Sequence, residues 1–199
     1  IVISGTIALT GDLEIPTGRS VTLVGEDSEA KIALSGQNSI LVKGELTLKN
    51  LAVEGAMSPG YAPITVAADR AQLHADGLRL FNSGASAMGY SASAQGVQIA
   101  LTKGDASSDS PSECVVDLKN SELRLNGSGA RGICFANTSR GTTITLDNTK
   151  LLNGLGDAPY TQWIGGQSRG VSLYNATDVL LEVKNNSEIC GWQYCINSN

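Results

Sequence analysis

One five-residue pattern constrains this chain more than any other feature of its sequence. An apolar residue, a polar one, a small or apolar one and a charged one are followed by Asn or Gly. Asn and Gly accept the left-handed backbone conformation of a tight bend, so each copy predicts a short strand that ends in a bend. Strand-and-bend units that recur along a chain predict a solenoid. The copies end at Asn50, Gly77, Asn120, Asn148 and Asn185.

Two further apolar runs follow each copy, which predicts about three strands per coil. Residues 78–82 and 123–126 exemplify the second run, and residues 96–99 and 132–137 exemplify the third. Residues 66–74 alone show a weak helical periodicity, so a helix is the alternative there. The copies are 27 to 43 residues apart, whereas a minimal coil needs about 20. We therefore expect an all-β chain whose coils carry inserted loops.

The corner residues Asn50, Asn120, Asn148 and Asn185 resemble the asparagine ladder of the pectate-lyase-like superfamily. This resemblance covers nearly the whole chain. It implies a right-handed, single-stranded parallel β-helix. We expect one domain over residues 1–199, in which residues 1–25 form a capping coil, and we interpret the chain as a fragment of a longer surface protein.

The charged residue of the pattern offers a test of the stacking. Equivalent residues of successive coils should lie ~4.8 Å apart, and like charges on adjacent strands are unfavourable. The charge before the bend alternates in sign along the chain, which supports this alignment of the coils and indicates that these charges are structural. The residues are Lys49, Asp76, Lys119, Asp147 and Lys184.

The inserted loops leave mostly at one corner, between the second and third strands of a coil. Because coils stack, such loops should form one continuous edge, and solenoids commonly bind through that kind of edge. A separate polar insertion, residues 103–112, leaves the next corner and is predicted to be mobile. The loops of the first corner are residues 55–63, 83–95, 127–131, 154–169 and 190–193.

Five of the nine aromatic residues lie in these loops. Flat aromatic faces stack on sugar rings, and neighbouring polar groups can bind hydroxyls, so the loops predict a glycan site. Two alternatives remain open: the aromatic side chains fold back onto the barrel, or they contact a protein partner. The predicted ligand-binding residues are Tyr61, Tyr90, Asp157, Tyr160, Trp163 and Trp192.

Composition excludes several function classes. The net charge is −5 and no Lys/Arg cluster is present, which argues against nucleic acid. No apolar run approaches the roughly 18 residues of a membrane span. With one His and no Cys-x-x-Cys pattern, we expect neither a metal nor a cofactor. Cys190 and Cys195 could form a local bridge or stay free.

The superfamily that the chain resembles includes polysaccharide-degrading enzymes, which carry recognisable catalytic motifs. The polygalacturonase patterns Asn-Thr-Asp, Asp-Asp, Gly-His-Gly and Arg-Ile-Lys are all missing. The strongest candidate for a general base is His74, predicted to point outward beside Asp76 and near Asp117 of the next coil. Equivalent residues of other coils are Thr47, Thr145 and Glu182, which favours an ordinary solvated wall.

The sequence thus favours a non-catalytic, extracellular surface or adhesin module of bacterial type. We expect a monomer whose partner is a glycan or a host surface protein. The alternative is a polysaccharide-active lyase or hydrolase with an atypical or incomplete site. A plain structural spacer is the third possibility.

Overall fold

The computed structural model describes residues 1–154 and 167–198, and it winds them into seven coils of three strands each. Sheet A contains β1 (Val2–Ile3), β4 (Ser20–Gly25), β7 (Glu45–Lys49), β10 (Gln72–Asp76), β13 (Val115–Lys119), β17 (Thr143–Asp147) and β21 (Leu180–Lys184). Sheet B contains β2 (Thr6–Ala8), β5 (Lys31–Gly36), β8 (Ala52–Met57), β11 (Arg79–Asn82), β14 (Glu122–Leu125), β18 (Lys150–Asn153) and β22 (Glu188–Cys190). Sheet C contains β3 (Leu13–Ile15), β6 (Ile40–Val42), β9 (Ile64–Val66), β12 (Gln95–Ile99), β15 (Arg131–Phe135), β19 (Arg169–Ser172) and β23 (Tyr194–Asn197).

Every strand of these sheets pairs in parallel with its equivalents in the neighbouring coils. The chain is therefore a right-handed parallel β-helix with three strands per coil, as predicted. Two short strands, β16 (Ser139–Arg140) and β20 (Ala176–Thr177), pair at the corner between sheets C and A.

Inward-facing side chains of equal register form the core. Leu46, Leu73, Val116 and Ile144 are partners on adjacent strands of sheet A, and all four are completely buried. Alternation along a strand sends every second side chain inward, which matches the apolar periodicity of the sequence. Since equivalent residues stack directly, the narrow core is filled by aliphatic columns and needs few aromatic residues.

The bends between sheets A and B have the predicted conformation. Asn50, Asn120, Asn148 and Asn185 have φ between 48° and 52°, and Gly77 has φ 75°. Asn148 Nδ2 donates to Asn120 Oδ1 at 2.8 Å, which is one step of an asparagine ladder. Asn120 Nδ2 donates to Asp76 Oδ1 at 2.8 Å, so the charged residue of an adjacent coil takes part in the same column.

The alternating charges stack as predicted. Asp76 is the direct partner of Lys49 on one side and of Lys119 on the other, and Asp147 lies between Lys119 and Lys184. The register deduced from the sequence is therefore confirmed for these five coils.

Residues 66–74 contain no helix, and the helical alternative is wrong. Val66 ends β9, Gln72 begins β10, and the residues between them turn the corner from sheet C to sheet A. The apolar spacing that suggested a helix arises because Val66, Ala71 and Leu73 all point into the core from two successive strands and their turn. Among the described residues the one helical turn is the 3-10 turn Tyr90–Ala92.

Candidate functional site

Three of the described loops between sheets B and C touch one another along one corner of the solenoid, as predicted. We call residues 58–63, 83–94, 126–130 and 191–193 the loop ridge. Gly60 N donates to Ser93 O at 2.9 Å, which joins the first two loops. A Cβ on Gly129 would collide with the Ala87 carbonyl oxygen, so the second and third loops touch through their backbones.

Asn82 holds the second loop of the ridge to the barrel. Its side chain is completely buried at the end of β11. Nδ2 donates to the Gln95 carbonyl oxygen at 2.8 Å, and Oδ1 accepts from Gly84 N at 2.9 Å and from Met57 N at 3.4 Å. One amide group therefore ties both ends of residues 83–94 to the end of β11.

Asn153, at the equivalent position two coils later, bonds the loops of its two neighbouring coils. It is the register equivalent of Asn82 through Leu125, and it is also completely buried. Its Oδ1 accepts from Gly127 N at 3.1 Å, and its Nδ2 donates to Gly127 O at 3.1 Å and Gly191 O at 3.3 Å. The sequence analysis missed both residues because Asn at a strand end resembles the corner asparagines.

Tyr61 and Tyr90, two predicted ligand contacts, are only partly exposed. The Tyr61 ring lies against Gly104 of the loop that joins sheets C and A. The Tyr90 hydroxyl accepts from Gln98 Nε2 at 2.8 Å, and the Arg131 guanidinium lies 5.3 Å from the centre of its ring. Burial raises the pKa of Tyr90 well above its ordinary value. Both rings therefore hold parts of the ridge and its surroundings together.

Trp192 is 6% exposed, and its Nε1 donates to the Leu151 carbonyl oxygen at 3.0 Å. In this position it packs with the core, as the fold-back alternative expects. Asp157, Tyr160 and Trp163 lie outside the described residues. Their contact with a ligand remains a prediction.

Phe81, which the sequence analysis did not select, presents an exposed aromatic ring beside the ridge. Phe81 lies in the middle of β11, one residue before the anchor Asn82, and is 41% exposed. Its partners on the neighbouring strands are Glu54 and Arg124. The alternation along a strand shows only that a residue points outward. It does not show whether that side chain binds a ligand or is simply solvated.

A shallow depression of about 180 Å³ surrounds the Phe81 ring. Charged groups border it: Lys31 donates to Glu54 at 3.0 Å, and Arg124 pairs with Glu122 at 2.8 Å. An apolar face with a few fixed polar groups is typical of small-ligand sites. The depression is lined by Ala52, Glu54, Arg79, Leu80, Phe81, Glu122 and Arg124.

The outer face of sheet C is covered. Thr65, Gln98, Cys134 and Ser172 form its central column, and each is completely buried. Polar contacts link neighbouring coils: Thr65 Oγ1 donates to Gln98 Oε1 at 3.4 Å. Burial raises the pKa of the Cys134 thiol to about 12. This side of the solenoid is thus a second, polar interior.

The loop of residues 100–114 is part of that cover. Lys103 Nζ donates to Asp12 Oδ1 at 2.5 Å and to Gln37 O at 2.7 Å, which ties the loop to the first two coils. Gly104 N donates to Gln98 Oε1 at 3.2 Å. The segment predicted as mobile is therefore fastened across sheet C through side chains that are distant in the sequence.

His74 lies where the register placed it. Its Nδ1 is 3.5 Å from Asp117 Oδ2 of the next coil, and its Nε2 is 3.1 Å from Gln72 Oε1. The column through His74 continues as Thr47 and Thr145, on the open outer face of sheet A. A His–Asp pair can relay a proton.

Residues 1–154 and 167–198 contain no group of three or more His, Cys, Asp or Glu side chains that could hold a metal ion. No helix in those ranges is long and apolar enough to cross a membrane. Of the two alternatives for Cys190 and Cys195, the structure has free thiols.

Comparison of the chain with protein-family models, with curated proteins and with solved structures gives no match. Its function must therefore be inferred from its own residues.

Proposed function

We propose that this chain is a non-catalytic extracellular module of a bacterial surface protein, of the adhesin type, and that it binds a glycan. The observation that carries the proposal is the exposed Phe81 ring in a depression edged by charged side chains, directly beside the loop ridge. A host surface protein is the other partner that such a surface could take.

The depression contains two kinds of group that can bind a sugar, an aromatic ring and charged side chains. The C–H face of a pyranose is apolar and stacks on an aromatic ring, which removes both surfaces from water. The sugar hydroxyls then point sideways, toward Glu54 on one neighbouring strand and Arg124 on the other. Charged groups form the stronger hydrogen bonds with such hydroxyls.

Membership of the pectate-lyase-like superfamily belongs to the same proposal. It is supported by the parallel β-helix and by the Asn120 and Asn148 corner contact. A monomer is proposed because a single solenoid already carries the whole surface.

A glycan array with the purified chain tests the proposal. Phe81→Ala should weaken binding about tenfold or more, because it removes the stacking surface of a large apolar side chain. Tyr174→Ala is the matched control, since Tyr174 is 42% exposed at the corner between sheets C and A. Equal binding by the two variants, or binding of a host protein but of no glycan, would overturn the glycan assignment.

The second candidate is a polysaccharide lyase or hydrolase. One observation favours it: His74 Nδ1 and Asp117 Oδ2 lie 3.5 Å apart on an open face. The same glycans should then be assayed for new reducing or unsaturated ends. Product that disappears with His74→Gln would support the enzyme, and binding without product would support the module.

A further inference from the structure

Two arginines lie on adjacent coils of sheet C in a region that is largely closed to solvent. Arg131 and Arg169 are direct register partners, so their backbones are ~4.8 Å apart. Arg131 is 5% exposed, and its Nε is buried without a hydrogen-bond partner. The Nε of Arg169 is buried without a partner as well.

No carboxylate neutralises this pair in the part of the chain that the structure describes. Within the described residues, the Arg131 side chain makes one hydrogen bond, from Nη1 to Ser172 Oγ at 3.2 Å. Burial lowers the pKa of Arg131 from its ordinary value, and the charge on Arg169 lowers it further. Arg140, in contrast, is paired with a carboxylate: its Nε lies 2.9 Å from Asp178 Oδ2.

The groups around the arginines do not supply a negative charge either. The Tyr90 ring lies under the Arg131 guanidinium, and burial keeps the Cys134 thiol neutral by raising its pKa to about 12. Gln95, the next residue in the column, is uncharged and completely buried. Buried charges in proteins are normally paired, because an unpaired one loses its hydration without compensation.

We propose that Arg131 and Arg169 form a binding site for an oxyanion, a sulfate or a carboxylate group. Each guanidinium presents a planar fork of N–H donors that matches two oxygens of such a group. One anion held by both forks would satisfy the two unpartnered Nε groups and remove the repulsion between the cations.

The site has a route to solvent on one side. Arg169 is only partly buried, and its partner on the last coil, Tyr194, is 43% exposed. A free ion could reach the arginines there, and so could a sulfate or carboxylate carried by a polymer. This inference does not depend on glycan binding at Phe81, which lies on a different sheet.

The test is thermal unfolding and calorimetric titration with sodium sulfate, against sodium chloride at equal ionic strength. Sulfate should stabilise the native chain and bind saturably. Arg131→Gln and Arg169→Gln should each weaken sulfate binding about tenfold or more, since each removes charged hydrogen bonds. Arg140→Gln, the matched exposed control, should bind sulfate like the native chain.

Absence of a sulfate-specific effect in the native chain would overturn the proposal, as would equal sulfate binding by all three variants. Should Arg131→Gln fail to fold, Arg169→Gln decides alone. A crystal soaked in selenate provides a direct check. The proposal requires anomalous density between the two arginines. A heparin hexasaccharide then shows whether the natural anion is free or carried by a polymer. If the hexasaccharide binds more tightly than sulfate and Arg169→Gln abolishes this binding, the group is carried by a polymer. Weaker binding than sulfate indicates a free ion.

Discussion

Replacing Asn82 by Ala tests how the loop ridge is held in place. The substitution removes two good hydrogen bonds, from Nδ2 to Gln95 O at 2.8 Å and from Gly84 N to Oδ1 at 2.9 Å. Each buried partner left unsatisfied costs about 1–3 kcal/mol. The weaker contact from Met57 N at 3.4 Å adds little. We therefore expect a loss of about 2–6 kcal/mol in the free energy of unfolding.

The measurement is urea unfolding of Asn82→Ala beside Asn186→Ala, whose side chain is exposed. Hydrogen exchange should show faster exchange at Gly84, whose amide loses its acceptor. Asn82→Asp separates hydrogen bonding from volume. At neutral pH it sets a carboxylate against the Gln95 carbonyl oxygen, whereas at acidic pH the protonated carboxyl can donate to it. A difference below about 1 kcal/mol between the two alanine variants would refute the anchoring role.

Two further predictions concern the coils themselves. Gly132→Ala should lower stability by about 1–3 kcal/mol, because its Cβ would lie 2.5 Å from the Gly170 carbonyl oxygen; Gly11→Ala, whose Cβ meets nothing within 4 Å, is the control in the same urea series. Burial raises the pKa of Cys114 and of Cys134 to about 12, above the value of about 8.5 in an unfolded chain. Their contribution to stability is therefore complete below about pH 8.5 and is lost as the pH rises toward 12. The free energy of unfolding, measured at pH 8 and at pH 10, gives this loss. In a variant with both cysteines replaced by Ala, the free energy of unfolding should fall less between these two pH values. An equally steep fall in that variant would contradict the role of the two thiols.

The coil architecture could be predicted because its determinants are local. A residue such as Asn120 needs only its own backbone conformation to mark a corner, and the alternation of Lys119 with Asp76 and Asp147 follows directly from stacking. Equivalent residues lie one above another, so the register inferred from a few positions extends to all coils.

The surfaces were harder to predict, because they depend on contacts between residues distant in sequence. Gln98 reads as an exposed polar residue, but Tyr90 and the loop of residues 100–114 enclose it. Trp192 reads as a loop aromatic, but a hydrogen bond to Leu151 O seats it with the core. Phe81 is exposed, and it was overlooked because an outward position on a strand does not indicate which groups surround the side chain.

The placement of the described B–C loops at one corner has an evolutionary consequence. Sheet A connects to sheet B through short bends in each coil from Asn50 onward, so the backbone that sets the stacking is separate from the segments that vary in length. A duplicated coil would lengthen the protein by ~4.8 Å and add one more segment to the same line. New recognition properties can therefore arise by exchanging single segments, while the inherited scaffold keeps its dimensions.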